Sequence, residues 1–326
     1  MNILSIKRTE NAFEIIDQTM LPHAENYLTI ANYQDMIKAI KTLQIRGAPA
    51  IGIAAVAAAF LACIQYKDEQ GFEQKLSNAL KEIENSRPTA VNLFHAIEKV
   101  RNLLTGDTSQ WLSKIDNLVN QLMRYEFQAC ESMAVNGLHY IPKEYTRFLT
   151  HCNTGSLATY GSGTALGVLK LIASKREIEV YVDETRPLLQ GSRLTMWELM
   201  KANIKCHLIT DNMAARTIEQ KNIQAIIVGA DRIARNGDTA NKIGTFNLAI
   251  LAKYFNIPFY IVAPETTIDH KIEKGKEMII EERDAEEVLR IMNVQITPNN
   301  ASVFNPAFDI TPADLITAII TDKRII

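Results

Sequence analysis

Apolar residues recur every three or four positions through 33–44, 48–64, 70–84, 89–104 and 109–136, the period of helices that bury one face. After 137–142 the pattern changes. Short apolar runs at 147–152, 177–185, 205–210, 225–231 and 258–264 alternate with amphipathic stretches near 156–172, 192–203, 213–221 and 243–256. Runs rich in Ile, Val, Leu, Phe and Tyr suit strands buried on both faces, and their alternation with helices predicts βαβ units around a parallel sheet. Two more helices are expected in the tail, at 284–292 and 312–322. The pattern predicts an α/β protein. A smaller, mainly helical N-terminal domain (1–140) precedes a Rossmann-like parallel sheet with flanking helices (141–326).

Composition narrows the function classes. Of 326 residues, 47% are hydrophobic and 22% charged, the balance of a globular chain with a sizeable core. A formal charge of −2 gives no general pull toward nucleic acid or anionic membrane, so neither is expected as a partner. The start, MNILSIKRTE, lacks the apolar core of a secretory leader. Residues 48–64 carry no charge, but the run is short, alanine-dominated and contains Pro49 and Gly52, so a buried helix is expected rather than a membrane span. Cys63, Cys130, Cys152 and Cys206 lie far apart and read as reduced thiols of a cytoplasmic protein. No His or Cys group has metal-ligand spacing, so no metal is expected. Gly161, Gly163 and Gly167 form GxGxxxG nine residues past a strand end, which is not the dinucleotide fingerprint. No cofactor is expected.

Ligands of open parallel sheets bind outside the carboxyl ends of the strands. Those ends read His151-Cys152-Asn153-Thr154-Gly155, Asp183-Glu184-Thr185-Arg186, Thr210-Asp211-Asn212 and Gly229-Ala230-Asp231-Arg232. Nucleophile, acids and guanidinium groups thus gather on one rim. Cys152, at a strand end before a predicted helix, reads either as a thiol activated by the helix N-terminus or as an inert core cysteine. Asp231 reads either as a general acid at a partly dry edge, or as a cap or salt-bridge partner of Arg232. Asn241 and Lys242 are expected at a helix N-terminus, where side chain, N–H groups and dipole can hold a phosphate. Arg46-Gly47-Ala48-Pro49 and Ser86-Arg87-Pro88-Thr89 form two more basic helix entrances. Three such entrances in a mildly acidic chain suggest an anionic ligand.

These motifs resemble the methylthioribose-1-phosphate isomerase family. The resemblance runs through Ile45-Arg-Gly-Ala-Pro-Ala-Ile-Gly-Ile53, Ser86-Arg-Pro-Thr-Ala-Val-Asn-Leu93, His151-Cys-Asn-Thr-Gly-Ser-Leu-Ala158, Val182-Asp-Glu-Thr-Arg-Pro-Leu-Leu-Gln190, Ile227-Val-Gly-Ala-Asp-Arg-Ile233, Asn241-Lys-Ile-Gly-Thr245 and Asn305-Pro-Ala-Phe-Asp-Ile-Thr-Pro312. It implies an aldose–ketose isomerase of methionine salvage, converting 5-methylthioribose 1-phosphate to 5-methylthioribulose 1-phosphate without metal or cofactor. It makes Cys152 and Asp231 the catalytic pair, and Arg46, Gly47, Ala48, Arg87, Gln190, Asn241 and Lys242 the substrate contacts. It also implies a homodimer. His95 stands where many relatives carry tryptophan, which leaves open an isomerase of 5-deoxyribose 1-phosphate or another ribose phosphate. Regulatory subunits of the eukaryotic translation-initiation nucleotide-exchange factor share the fold, so a sugar-phosphate- or nucleotide-sensing subunit is a third reading. Those subunits generally lack the cysteine–aspartate pair present here.

Overall fold

The computed structural model describes residues 3–87, 90–292 and 294–326. Pro88 and Thr89 of the second basic helix entrance, and the first residue of the helix expected at 89–104, lie outside them. The chain divides into two compact units, Met1–Cys130 with Ser156–Gly163, and Glu131–Gly155 with Thr164–Ile326.

The first unit opens with an antiparallel meander, β1 (Ile6–Arg8), β2 (Phe13–Ile16) and β3 (Tyr27–Ile30). Its strands of three and four residues are too short to show a period in the sequence. Helices α1 (Tyr33–Lys41), α2 (Ala48–Tyr66), α3 (Phe72–Glu84) and α4 (Val91–Leu103) follow. The long helix α5 (Trp111–Tyr140) follows these, and the division between units falls inside it. Asn32 caps α1 by accepting from the Asp35 N–H at 2.8 Å, which satisfies one of the orphan donors of the first turn.

Helix α2 is long and apolar enough to cross a membrane, yet every residue from Ala50 to Cys63 is buried within the protein. Alanine on all its sides lets α1, α3 and α4 pack against it at once. Its start is set by Gly47, whose φ of +94° suits glycine and whose missing side chain matters more. A Cβ there would lie 2.5 Å from the Ala158 carbonyl oxygen.

In the second unit six strands form one parallel sheet: β4 (Arg147–Thr150), β5 (Glu179–Asp183), β6 (Lys205–Ile209), β7 (Ala225–Val228), β10 (Phe259–Val262) and β15 (Ala318–Ile320). Their order across the sheet is β6-β5-β4-β7-β10-β15. Numbered one to six along the chain, this is 3-2-1-4-5-6, with the reversal between β4 and β7. β7 and β10 are wholly buried, as their unbroken apolar runs require. Helices α6 (Ala165–Ala173), α7 (Met196–Lys201), α8 (Ala214–Lys221) and α9 (Thr245–Phe255) lie between the strands in sequence. A smaller sheet of order β11-β8-β9-β14 joins Ile268–Asp269, Arg232–Ala234, Thr239–Lys242 and Phe308–Thr311.

Four expectations are corrected. The helix expected at 156–172 begins only at Ala165. The carbonyls of Leu157, Ala158 and Thr159 accept instead from the Gln18 side chain (2.8 Å), the Ala50 N–H (3.2 Å) and the Ser5 hydroxyl (2.5 Å), all in the first unit. A helix would need those carbonyls for itself. The tail at 312–322 is a 3₁₀ turn (Ala313–Leu315) followed by strand β15, because β-branched Ile319 and Ile320 find the open edge of β10. The helix expected at 284–292 is one turn, α10 (Glu286–Leu289), running into a hairpin of β12 (Arg290–Ile291) and β13 (Val294–Gln295). The polar stretch before α9 is not the helix entrance expected for Asn241 and Lys242. Asn241 and Lys242 lie on strand β9, and the helix entrance proper is Gly244.

Ala57 at the centre of α2 tests the packing. Ala57→Leu should lower unfolding stability by about 1–3 kcal/mol, the usual cost of overpacking, read from urea midpoints. In a lipid-facing helix the same change would be neutral.

Candidate active site

The site grows from the reversal between β4 and β7. These strands are parallel neighbours with Leu149 opposite Ile226, so continuing the register sets Cys152 opposite Gly229, two residues before Asp231. Gly229 lets the two strand ends approach. A Cβ there would sit 2.7 Å from Thr154 Cγ2, inside the turn that follows Cys152. The Asp231 N–H donates to the Ala240 carbonyl at 2.9 Å, and the pairing of Arg232 with Ala240 runs Asn241 alongside Asp231. Cys152, Asp231 and Asn241 thus converge on one rim. The Arg232 guanidinium turns instead to Asp269, with Nε at 3.0 Å from Oδ2.

Cys152 is 7% exposed and holds a left-handed backbone, φ +61°. Thr185 (φ +64°) and Leu189 (φ +58°) share that conformation. It is uncommon for non-glycine residues, more so for β-branched threonine, and clusters at functional sites. The helix expected to face Cys152 starts only at Ala165, and its first turn meets Thr154, with the Leu166 N–H donating to Thr154 Oγ1 at 3.1 Å. Burial pushes the Cys63 thiol up to about 11 and raises that of Cys206, as inert core thiols require.

Gln190 lies seven residues past the end of β5 and is 6% exposed; its Oε1 is buried without a hydrogen-bond partner among the described residues. A buried acceptor left so carries a desolvation penalty that a ligand hydroxyl would relieve. Lys242 donates to the Ala307 carbonyl (2.9 Å) and covers the Phe308 ring, while Asn241 donates to the Thr245 hydroxyl (2.9 Å). The N-terminus of α9 is occupied by Asp309, which accepts from the Gly244 N–H at 2.7 Å and the Phe246 N–H at 3.1 Å. Phosphate binding there by backbone and dipole, as read from the sequence, is corrected accordingly.

Arg46, Gly47, Ala48 and Arg87 belong to the first unit. Arg46 Nε donates to Gln18 Oε1 at 3.2 Å, and the Gln18 amide holds the Leu157 carbonyl. This basic entrance is therefore anchored to a segment that starts four residues after Cys152 in the chain.

Three groups that the sequence placed at the strand ends without a shared role come together: His151, Asp183 and Asp211, whose ligand atoms lie within 4.8 Å of one another. Metal-type donors they are, but each is engaged. His151 Nδ1 meets Asp183 Oδ2 at 2.9 Å and Nε2 meets the Ile243 carbonyl at 2.8 Å. Asp211 accepts from the N–H groups of Thr185 (2.8 Å) and Arg186 (2.7 Å). A proton must lie on Nε2 and another on the Nδ1–Oδ2 line, so the pair keeps a proton that a free imidazole sheds. Burial opposes the imidazolium, and Asp183 against Nδ1 outweighs it, raising the pKa of His151. Glu198 was missed by the sequence reading. Its carboxylate is fully buried on α7, and is satisfied by Lys170 (2.7 Å) and the Asn153 amide (2.9 Å).

Comparison with known proteins bears on this arrangement. The model of the initiation factor 2 subunit family matches residues 44–326. The methylthioribose-1-phosphate isomerase of Thermoanaerobacter sp. is 48% identical, with 99% of this chain and 96% of that protein aligned. The enzyme of the same name from Bacillus licheniformis is also 48% identical, over 99% and 92%. Among solved structures, 5-methylthioribose 1-phosphate isomerase from Pyrococcus horikoshii superposes with a TM-score of 0.92 at 37% identity, covering 99% of this chain and 92% of that one. Translation initiation factor eIF-2B subunit delta from A. fulgidus gives 0.86, also at 37% identity, over 99% and 96%.

The His151–Asp183 pair generates a pH prediction. The folded protein holds the shared proton above the ordinary imidazole value of 6.5, where the unfolded chain releases it. Its stabilisation is complete below that value and is lost as pH rises through the raised one. Urea midpoints should fall with pH in that window, and Asp183→Asn should flatten the fall. Parallel curves for both proteins would contradict it.

Proposed function

The chain belongs to the methylthioribose-1-phosphate isomerases within the initiation factor 2 subunit family, and from that membership we propose that Cys152 and Asp231 carry its chemistry. The reaction is an aldose–ketose isomerisation, 5-methylthioribose 1-phosphate to 5-methylthioribulose 1-phosphate, a step of methionine salvage. One observation supports the assignment above the others. Cys152 and Asp231 stand at the carboxyl ends of adjacent parallel strands, on either side of the reversal in strand order.

The chemistry has a specific difficulty. Phosphate on C1 locks the anomeric centre, so the ring cannot open to a free aldehyde unaided. Asp231, protonated, donates to the ring oxygen as the ring opens, and the resulting carboxylate takes the proton of the C2 hydroxyl as the ketone forms. The proton ledger closes on one residue. Hydrogen passes from C2 to C1 beside Cys152, carried as a proton by the thiolate or moving directly as hydride. A dry pocket strengthens both groups, and Cys152 is buried. Gln190 offers its unpartnered Oε1 to a sugar hydroxyl. Arg46 and Arg87, with Gly47 and Ala48, are assigned to the phosphate, and Asn241 and Lys242 complete the substrate contacts.

The protein is proposed to work in the cytoplasm as a homodimer, with a sugar phosphate as its small-molecule partner. The outer face of α9 supports association: Ile250 is 46% and Tyr254 80% exposed, one turn apart. Sedimentation should give twice the chain mass of 36.6 kDa, and Tyr254→Glu should shift it toward one. Equal masses for both variants would remove α9 from the interface.

Turnover measured on 5-methylthioribose 1-phosphate, 5-deoxyribose 1-phosphate and ribose 1-phosphate with one preparation tests the function. The first should be preferred, and no turnover of any would favour a regulatory subunit. Asp231→Asn keeps the shape but removes the transferable proton, so kcat should fall by about 10²–10⁴ with little change in melting temperature. Cys152→Ser should nearly abolish turnover. Arg46→Ala and Arg87→Ala should each weaken substrate binding by about 1.5–3 kcal/mol, one to two decades in Kd. Wild-type kcat in Asp231→Asn would reduce that residue to a structural role.

A further inference from the structure

Two threonines hold the peptide groups of Cys152 from opposite sides. The Cys152 N–H donates to Thr185 Oγ1 at 2.8 Å, and the Thr185 hydroxyl passes its own proton to the Asp183 carbonyl at 3.1 Å. On the other side the Thr195 hydroxyl donates to the Cys152 carbonyl at 2.6 Å. Thr195 in turn accepts from the Asn153 amide at 3.2 Å, and that amide is oriented by Glu198, itself paired with Lys170. Every donor in both chains has one direction, so replacing either hydroxyl by a methyl group removes its hydrogen bond to the Cys152 backbone. Thr185 is 0% and Thr195 1% exposed, so water is not at hand to substitute.

The clamp coincides with unusual backbone. Cys152 and Thr185 are both left-handed, at +61° and +64°, and such conformations persist only where surrounding contacts over-determine them. Thr185 is further tied by its N–H to Asp211 at 2.8 Å. Relaxing residue 152 to an extended conformation would swing its side chain to a different direction from the rim.

We infer that Thr185 and Thr195 are positioning residues, whose hydroxyls clamp the N–H and carbonyl of Cys152 and hold its left-handed turn so that the thiol faces the reacting carbons. This rests on Cys152 acting in catalysis, and the two ideas fail differently in experiment.

The test compares Thr185→Val, Thr195→Val, Thr185→Ser and Thr195→Ser with wild type. It reads kcat, KM, melting temperature and the rate of Cys152 alkylation by iodoacetamide, resolved by mass spectrometry. Valine keeps the β-branched shape and removes the hydroxyl; serine does the reverse. The valine variants should lose about 10–10²-fold in kcat, the scale of a slightly misplaced reacting group, with KM unchanged and Cys152 alkylation altered. The serine variants should restore both. A merely structural role would move the melting temperature but leave kcat and alkylation in place, and that result overturns the clamp. If the valine variants do not fold, the serine variants decide, since folded serine enzymes that have lost turnover also overturn it. Cys152→Ser runs alongside. An active Cys152→Ser enzyme removes the premise, whereas an inactive one beside active valine variants defeats the clamp alone.

Discussion

The closeness of two strand ends is the constraint on which the rim depends. β4 and β7 are neighbours in a parallel sheet, and past Thr150 and Val228 their chains diverge into different turns. Gly229 lets the turn after Cys152 lie against the β7 end, because any side chain there would occupy the volume of Thr154. The strand spacing of a parallel sheet then brings the turns carrying Cys152 and Asp231 to the same edge. A ligand crevice at a reversal in strand order is a general property of such sheets. What this chain adds is the chemistry of the two residues set on either side of it.

Around that crevice polar groups are arranged with little slack. Thr185, Thr195, Asn153 and Glu198 are all buried, and each finds a partner. Low dielectric makes a satisfied network of this kind rigid and an incomplete one costly. His151 extends it toward β9 by reaching the carbonyl of Ile243, next to Lys242. Among the described residues, the buried Oε1 of Gln190 and Oδ1 of Asp183 have no hydrogen-bond partner in this network. The same fold carries initiation-factor subunits among its relatives, so fold alone cannot assign the activity.

Much of the fold was legible because its signals are local. Fully apolar runs at Ala225–Val228 and Phe259–Val262 announce buried strands. The alanine run of α2 announces a helix, and its burial followed from a composition too poor in bulky side chains for lipid. Cys152 and Asp231 could be placed at neighbouring strand ends because the apolar runs before them are readable. Strands β1 to β3 and the small sheet of β8, β9, β11 and β14 were not legible, since segments of two to four residues carry no period.

Tertiary structure alone decided the rest. Residues 156–163 have helical composition, yet their carbonyls bond to Ser5, Gln18 and Ala50, groups more than a hundred residues away. Ile319 and Ile320 became a strand because β10 offered an unpaired edge. Asn241 and Lys242 lie on a strand because β8 and β14 pair with β9, and Asp309 took the helix end that the sequence appeared to offer a phosphate. The clamp on Cys152 joins residues 33 and 43 positions apart. Local propensity and periodicity report what a segment can form on its own, so the sequence determined the five apolar strands from β4 to β10, the main helices and the set of polar residues at the strand ends. Which carbonyl meets which hydroxyl depends on the closing of long loops, and only the folded chain determines that.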